Sequence, residues 1–213
     1  MNVEIWSDIA CPWCYIGKRR FDVALARFEH RDAVEVRWRS FELDPSAPKV
    51  RDEPYLDRLA TKYRMSLPEA DALIDQMIEA GARNGVVLRF DKAKPANTFD
   101  AHRLLHLAAD RGAQAELTDK LFRSTFTKGE PTADPDVLVA VATEAGLDAG
   151  EARAVLDGDA YAAEVRADER RAADLGITSV PFFVMGGAFG VSGAQSPDVL
   201  VEVLEEAWAA QGS

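Results

Sequence analysis

Apolar and polar positions alternate at the start of the chain, where Val3 and Ile5 flank Glu4, and this predicts a short strand over residues 3–6. The period then becomes helical. Over residues 12–29, Phe21, Leu25 and Phe28 fall on one face, and Pro12 suits a first turn, where a missing backbone N–H costs nothing. Residues 34–41 alternate again and predict a half-buried strand. Strand, helix, strand is the opening of an α/β unit.

The middle of the chain differs. Residues 54–175 show helical periodicity and no convincing pair of strands. Leu56, Leu59 and Tyr63 share a face, as do Leu73, Ile74, Met77 and Ile78; Leu104, Leu105 and Ala108 form another. Leu117, Leu121 and Phe122 follow, then Val137, Leu138, Val141 and Ala142. The runs beginning at Ser66 and Thr132 read as helix starts and Gly146 as a helix stop. Residues 86–90 are apolar enough for a strand but short and isolated, so they read as a loop.

The end returns to α/β. Residues 180–185 form a buried-strand run begun by a proline, Gly186 and Gly187 signal a hairpin, and residues 188–192 pair back. Ser196 and Pro197 open a last helix with Val199, Leu200, Val203, Leu204 and Ala207 on its apolar face. The expected fold is an α/β core over residues 1–45 and 176–213, split by an all-helical insertion over residues 46–175.

Composition narrows the partners. The chain has 213 residues, 36 acidic against 25 basic, and a formal net charge of -11. That field repels phosphate backbones and anionic lipid surfaces, so neither nucleic acid nor membrane is an expected partner. No apolar stretch approaches the roughly 18 residues of a membrane span. The first residues lack a basic start and a long apolar run, so no secretory signal is visible and the cytoplasm is the expected compartment. Thiols there stay reduced, which favours a catalytic or redox-sensing cysteine pair over a stabilising disulfide.

Both cysteines of the chain stand in one motif, Cys11-Pro12-Trp13-Cys14. A C-x-x-C beside an α/β pattern reads as a thioredoxin-like redox motif. At a helix start the first thiol sits over unpaired N–H groups and the second lies one turn on, along the same face. The helix end favours a thiolate at Cys11, and Cys14 can attack a mixed disulfide on Cys11 and release the product. Lys18 shares that face and is expected to be solvated, whereas Asp8 would oppose the thiolate if ionised nearby. A buried, inert pair is the bland alternative. Zinc is a second: His102 and His106 would complete two Cys and two His, but their distance along the chain fits no compact zinc module, and no metal is expected.

The other half of the site is read at Ser179-Val180-Pro181-Phe182-Phe183. A proline at a strand start removes a ladder donor. A cis Val180–Pro181 bond would present the Val180 backbone beside the cysteines for an extended substrate; an ordinary trans proline on an edge strand is the competing reading.

Four segments together carry a family resemblance: residues 11–17 (Cys-Pro-Trp-Cys-Tyr-Ile-Gly), residues 97–104 (Asn-Thr-Phe-Asp-Ala-His-Arg-Leu), Val180-Pro181-Phe182-Phe183, and Ser192-Gly193-Ala194-Gln195. In this order they resemble DsbA-family, FrnE-like thiol–disulfide oxidoreductases over nearly the whole chain. The resemblance implies a thioredoxin fold interrupted by a helical domain, with Cys11 as nucleophile, Cys14 as resolving thiol and Pro181 in the cis state. Pro12, Trp13, Val180 and Pro181 are the expected substrate-binding residues. No bound cofactor is expected beyond a redox-active disulfide between Cys11 and Cys14, with glutathione a candidate co-substrate. Protein or small-molecule thiols and disulfides are the expected partners, in either direction of electron flow. The chain departs from the periplasmic branch in lacking an export signal and in carrying Trp13 where a histidine often sits, which weakens any expectation of a strongly oxidising potential.

Two other readings stand beside this one. The fold also resembles glutathione-dependent isomerases of the 2-hydroxychromene-2-carboxylate type and kappa-class transferases, which look like they use serine where this chain has Cys11. A non-enzymatic redox-sensing or client-holding module is the third.

Overall fold

The computed structural model describes residues 1–212 and contains a four-stranded sheet in the order β2-β1-β3-β4. Strand β1 (Asn2–Ser7) leads into helix α1 (Pro12–Arg27), which is followed by β2 (Glu35–Ser40), parallel to β1 with Val3 opposite Val36 and Ile5 opposite Trp38. The chain returns to the sheet only at β3 (Phe182–Met185), antiparallel to β1 with Ile5 opposite Phe183. A tight hairpin then lays β4 (Phe189–Ser192) beside β3, and α9 (Pro197–Gln211) ends the fold.

Between β2 and β3 every regular element is helical: α2 (Tyr55–Tyr63), α3 (Leu67–Arg83), α4 (Phe99–Asp110), α5 (Gln114–Arg123), α6 (Pro135–Glu144), α7 (Ala149–Asp157) and α8 (Ala162–Asp174). The starts are set locally. Ser66 and Glu69 form a reciprocal capping box on α3, and the Asp134 carboxylate accepts the Asp136 N–H at α6. Residues 86–90 are irregular, as their isolation implies.

Each face of the sheet has its own core. Val3, Ile5, Phe183, Met185 and Val191 lie on one side, a set dictated by the two-residue period and the register, and they pack on Phe21, Ala24 and Phe28 of α1 and Leu200, Leu204 and Ala207 of α9. The second core joins Trp6, Cys11, Cys14, Tyr15 and Val184 to Tyr55, Leu59, Met77, Leu104 and Phe122 of the helical segment. The cysteines therefore sit where the sheet meets the inserted helices.

The outer edge of β2 is closed by side chains. Gln114 on α5 accepts the Trp38 N–H at 3.0 Å and donates to the Trp38 carbonyl at 2.9 Å, and Asp168 on α8 accepts the Ser40 N–H at 3.0 Å. An edge strand's unpaired groups are otherwise a template for aggregation.

Several sequence expectations need correction. Tyr63, Ile78 and Val199 are exposed, because periodicity identifies a face but not how far its partner extends. Helix α1 stops at Arg27; Phe28 leaves the helix with φ -71° and ψ 127° and still inserts its ring into the core. Strand β3 begins at Phe182, so Val180 and Pro181 precede the ladder, to which proline could not donate.

Candidate active site

The turn between β1 and α1 is built around Asp8, only 1% exposed. Its carboxylate accepts the Ala10 N–H at 3.1 Å and the Leu43 N–H at 2.7 Å, while its carbonyl accepts the Cys11 N–H at 3.0 Å. Cys11 is thereby fixed as the N-cap of α1 in extended conformation, with Pro12 in the first turn. No side chain caps this helix start; Pro12 has no N–H and the Cys14 N–H donates to the Cys11 carbonyl at 3.1 Å, so the positive helix end and the Trp13 N–H are what this turn offers to negative charge at the Cys11 sulfur.

Cys11 is 6% exposed and Cys14 0%, and both are free thiols. Burial, reinforced by the neighbouring Cys11, pushes the Cys14 thiol well above its ordinary value, against the opposing Asp8 N–H and Ser7 hydroxyl. Cys14 is therefore a protonated, solvent-excluded thiol at neutral pH, beneath a more accessible partner.

The far end of the chain reaches this point. Cys11 Sγ donates a long contact to the Val180 carbonyl at 3.7 Å, and the Val180–Pro181 peptide bond is cis. A Cβ on Gly17 would meet Pro181 Cγ at 2.8 Å and the Ala194 methyl at 3.5 Å, so only glycine lets α1 approach this closely. The Gly193 N–H donates to the Pro181 carbonyl at 2.8 Å, and Arg20 donates to the Ala194 carbonyl. The segment at residues 97–104 arrives from α4, where His102 Nε2 stands 3.6 Å from Asp8 Oδ1, an ion-pair contact too long for a hydrogen bond. All four quoted segments thus converge. Burial opposes ionisation of Asp8, but His102 and the Leu43 and Ala10 N–H groups outweigh it and hold the carboxyl below the usual range.

Other expected residues are placed differently. Lys18 is not solvated: it is buried, with its ammonium 2.8 Å from Asp22 and 3.9 Å from Asp119. His106 turns away from the cysteines to Asp168 Oδ2 at 3.1 Å and Ser40 Oγ at 3.2 Å. Trp13 is half-buried and lines the cavity that opens at Cys11, whereas Val180 and Phe182 do not line it.

That cavity, of about 410 Å³, runs from Cys11 and Trp13 under α2 and α3, with Leu43, Leu59 and Met77 on its apolar walls and Tyr55 and Arg58 among its polar ones. Tyr55 and Gly17 are the site residues that residue-by-residue reading misses. Tyr55 looks like one more helical position in a run of them, and Gly17 carries a signal only as part of the quoted motif.

Comparison with known proteins identifies the family and the fold. The family described as DSBA-like thioredoxin domain matches residues 2–205. A crystal structure of a probable DsbA oxidoreductase, SCO1869 from Streptomyces coelicolor, is 52% identical with a TM-score of 0.92, covering 98% of this chain and 90% of that one. A Bacillus subtilis (strain 168) protein, YwbO, described as uncharacterized, is 28% identical over 208 residues, 97% of this chain and 96% of its own length. The cytosolic disulfide reductase DsbM from Pseudomonas aeruginosa, solved with GSH, shares the fold at a TM-score of 0.69 and 17% identity, covering 98% of this chain and 100% of that one.

Proposed function

Since this chain belongs to the DSBA-like thioredoxin domain family, we propose that it is a thiol–disulfide oxidoreductase working through Cys11 and Cys14. Residues 1–45 and 176–213 form the core that carries the exchange, and residues 46–175 the insertion that roofs it. The observation that carries the reading is the placing of Cys11 Sγ at an uncapped helix start, 3.7 Å from the Val180 carbonyl and open to a cavity, with Cys14 buried directly behind it.

In the reducing direction, the Cys11 thiolate attacks one sulfur of a substrate disulfide. The Cys11–substrate S–S bond forms, the substrate's own S–S bond breaks, and one thiolate leaves and takes a proton from water. Cys14 then loses its proton and attacks Cys11 Sγ, releasing the second substrate thiol. Two electrons have passed to the substrate, and Cys11 and Cys14 end as a disulfide that an external thiol reduces. Pro12 and Trp13 flank the reacting sulfur, and the Val180 backbone, turned by the cis Pro181, offers an extended substrate a strand-like partner.

Reductase or isomerase chemistry in the cytoplasm, with glutathione as co-substrate, is the form we favour; the cytosolic DsbM, solved with GSH, supports it. None of the helices among the described residues is long and apolar enough to cross a membrane. The isomerase-type alternative needs one reactive group at position 11 and gives Cys14 nothing to do.

Trapping tests the reading. Cys14→Ala should accumulate mixed disulfides on Cys11, identified by mass spectrometry, and Cys11→Ala should accumulate none. Equal trapping by both variants, or by neither, would sink it.

A further inference from the structure

We propose that the Tyr55 hydroxyl is the hydrogen-bond donor that meets the sulfur leaving a substrate disulfide when Cys11 attacks. The inference rests on the exchange reading above and adds a catalytic residue from the inserted helices.

Displacement at a disulfide is in line: the attacking, central and departing sulfurs form a nearly straight row. Cys11 and the α2 residues Tyr55, Arg58 and Leu59 line one cavity, so a substrate disulfide that enters it in line with Cys11 Sγ would direct its departing sulfur toward α2. Tyr55 opens that helix and is 6% exposed, yet it lines the same cavity as Cys11. Its ring is held in place. Phe90 lies 4.5 Å away between centroids, and the Arg58 guanidinium lies over the ring at 4.7 Å.

The charged groups on the wall are poorly suited. Asp8, Asp44 and Glu53 carry carboxylates that repel a departing thiolate. Arg51 is tied to Asp44 at 3.0 Å, and Arg58 donates to the Pro95 carbonyl at 3.0 Å. Lys62 lies over the Tyr63 ring, at 5.7 Å.

The protonation state of Tyr55 suits a donor. Burial pushes the phenol far above its ordinary value; Arg58 opposes this and the charge of Cys11 reinforces it. The hydroxyl therefore stays protonated across the working range. A phenol is a weaker acid than a thiol, so Tyr55 keeps its proton and stabilises the thiolate by a charge-assisted hydrogen bond; the proton that neutralises the product comes from water.

The test uses the reduced full-length chain with disulfides of different leaving groups. With a dialkyl disulfide such as hydroxyethyl disulfide, whose thiolate leaves reluctantly, Tyr55→Phe should slow Cys11 oxidation about ten- to hundredfold. With 5,5'-dithiobis(2-nitrobenzoate), whose aryl thiolate is stable unaided, the loss should be within about threefold. Alkylation of Cys11 by iodoacetamide, which releases no thiolate, should not change. Equal losses for both disulfides, or none, overturn the proposal. Replacing Tyr55 with 3,5-difluorotyrosine, a stronger donor on the same ring, should speed the alkyl exchange; an unchanged or slower rate also overturns it. If the wild-type chain alkylates but exchanges with neither disulfide, the oxidoreductase reading itself fails, and Tyr55 is not the cause.

Discussion

Helix α4 carries two histidines one turn apart, each facing a buried aspartate, and the two pairs are built differently. His106 meets Asp168 in a closed network: Asp168 takes Arg39 at 2.8 Å, the Ser40 N–H at 3.0 Å and His106 at 3.1 Å, and its own carbonyl accepts the Trp6 indole N–H at 3.1 Å. His102 meets Asp8 across 3.6 Å, and neither of its ring nitrogens makes a hydrogen bond to the described residues. The first network pins β1, β2, α4 and α8 together. The second leaves an unsaturated polar group behind the turn that carries Cys11. Buried polar groups without partners are uncommon, and they concentrate where a protein does chemistry.

The largest test of this contrast is Asp168→Ala. It leaves the Ser40 N–H and His106 without their carboxylate in a site with little solvent, and leaves Arg39 with Glu4 alone, so we expect a loss of about 3–5 kcal/mol in urea unfolding. A loss below about 1 kcal/mol would mean that water already serves those groups, and the contrast would disappear.

Leucine at each histidine sharpens it further. His106→Leu removes a buried, charge-assisted bond and should cost about 1.5–3 kcal/mol. His102→Leu breaks no hydrogen bond, so we expect about 1 kcal/mol or less but a change in the pH profile of exchange, since Asp8 would lose its main ionising neighbour. Equal costs would show the two pairs to be alike.

The smallest effect is in acid. Burial opposes ionisation of Asp168, but His106, the Ser40 N–H and Arg39 outweigh it, so its carboxyl, like that of Asp8, lies below the usual range. The stability each contributes is complete above the unfolded value of about 3.9 and is lost as pH falls through the lower folded value. Urea midpoints between pH 6 and pH 3 should therefore fall less steeply in Asp168→Asn than in the wild type. A parallel fall would show that other carboxylates control acid unfolding.

Much of this was legible in the residues, for local reasons. The strand at Val3 and Ile5, the apolar face through Phe21 and Phe28, the capping box at Ser66 and the stop at Gly146 each depend on positions a few residues apart, where backbone geometry alone sets the rule. The cysteine pair was legible for the same reason. Tyr63, Ile78 and Val199 were misjudged because burial depends on what arrives from elsewhere. Gly17 needed Pro181, and Tyr55 needed the cavity, before either had a role to read.

By itself the amino-acid order determined the elements, the helical interruption of the α/β pattern and a dithiol at a helix start, because hydrophobic period, capping and motif spacing act within a few turns of chain. Only the tertiary structure decided that Val180 lies against Cys11, that Lys18 is held by carboxylates, that His102 and His106 part company and that Tyr55 lines the same cavity as Cys11. Apart from the Lys18–Asp22 pair, one helical turn apart, those facts are packing outcomes: they depend on which side chains fill the space between segments distant in the chain, 169 residues in the case of Val180 and Cys11, and no short-range pattern encodes that choice.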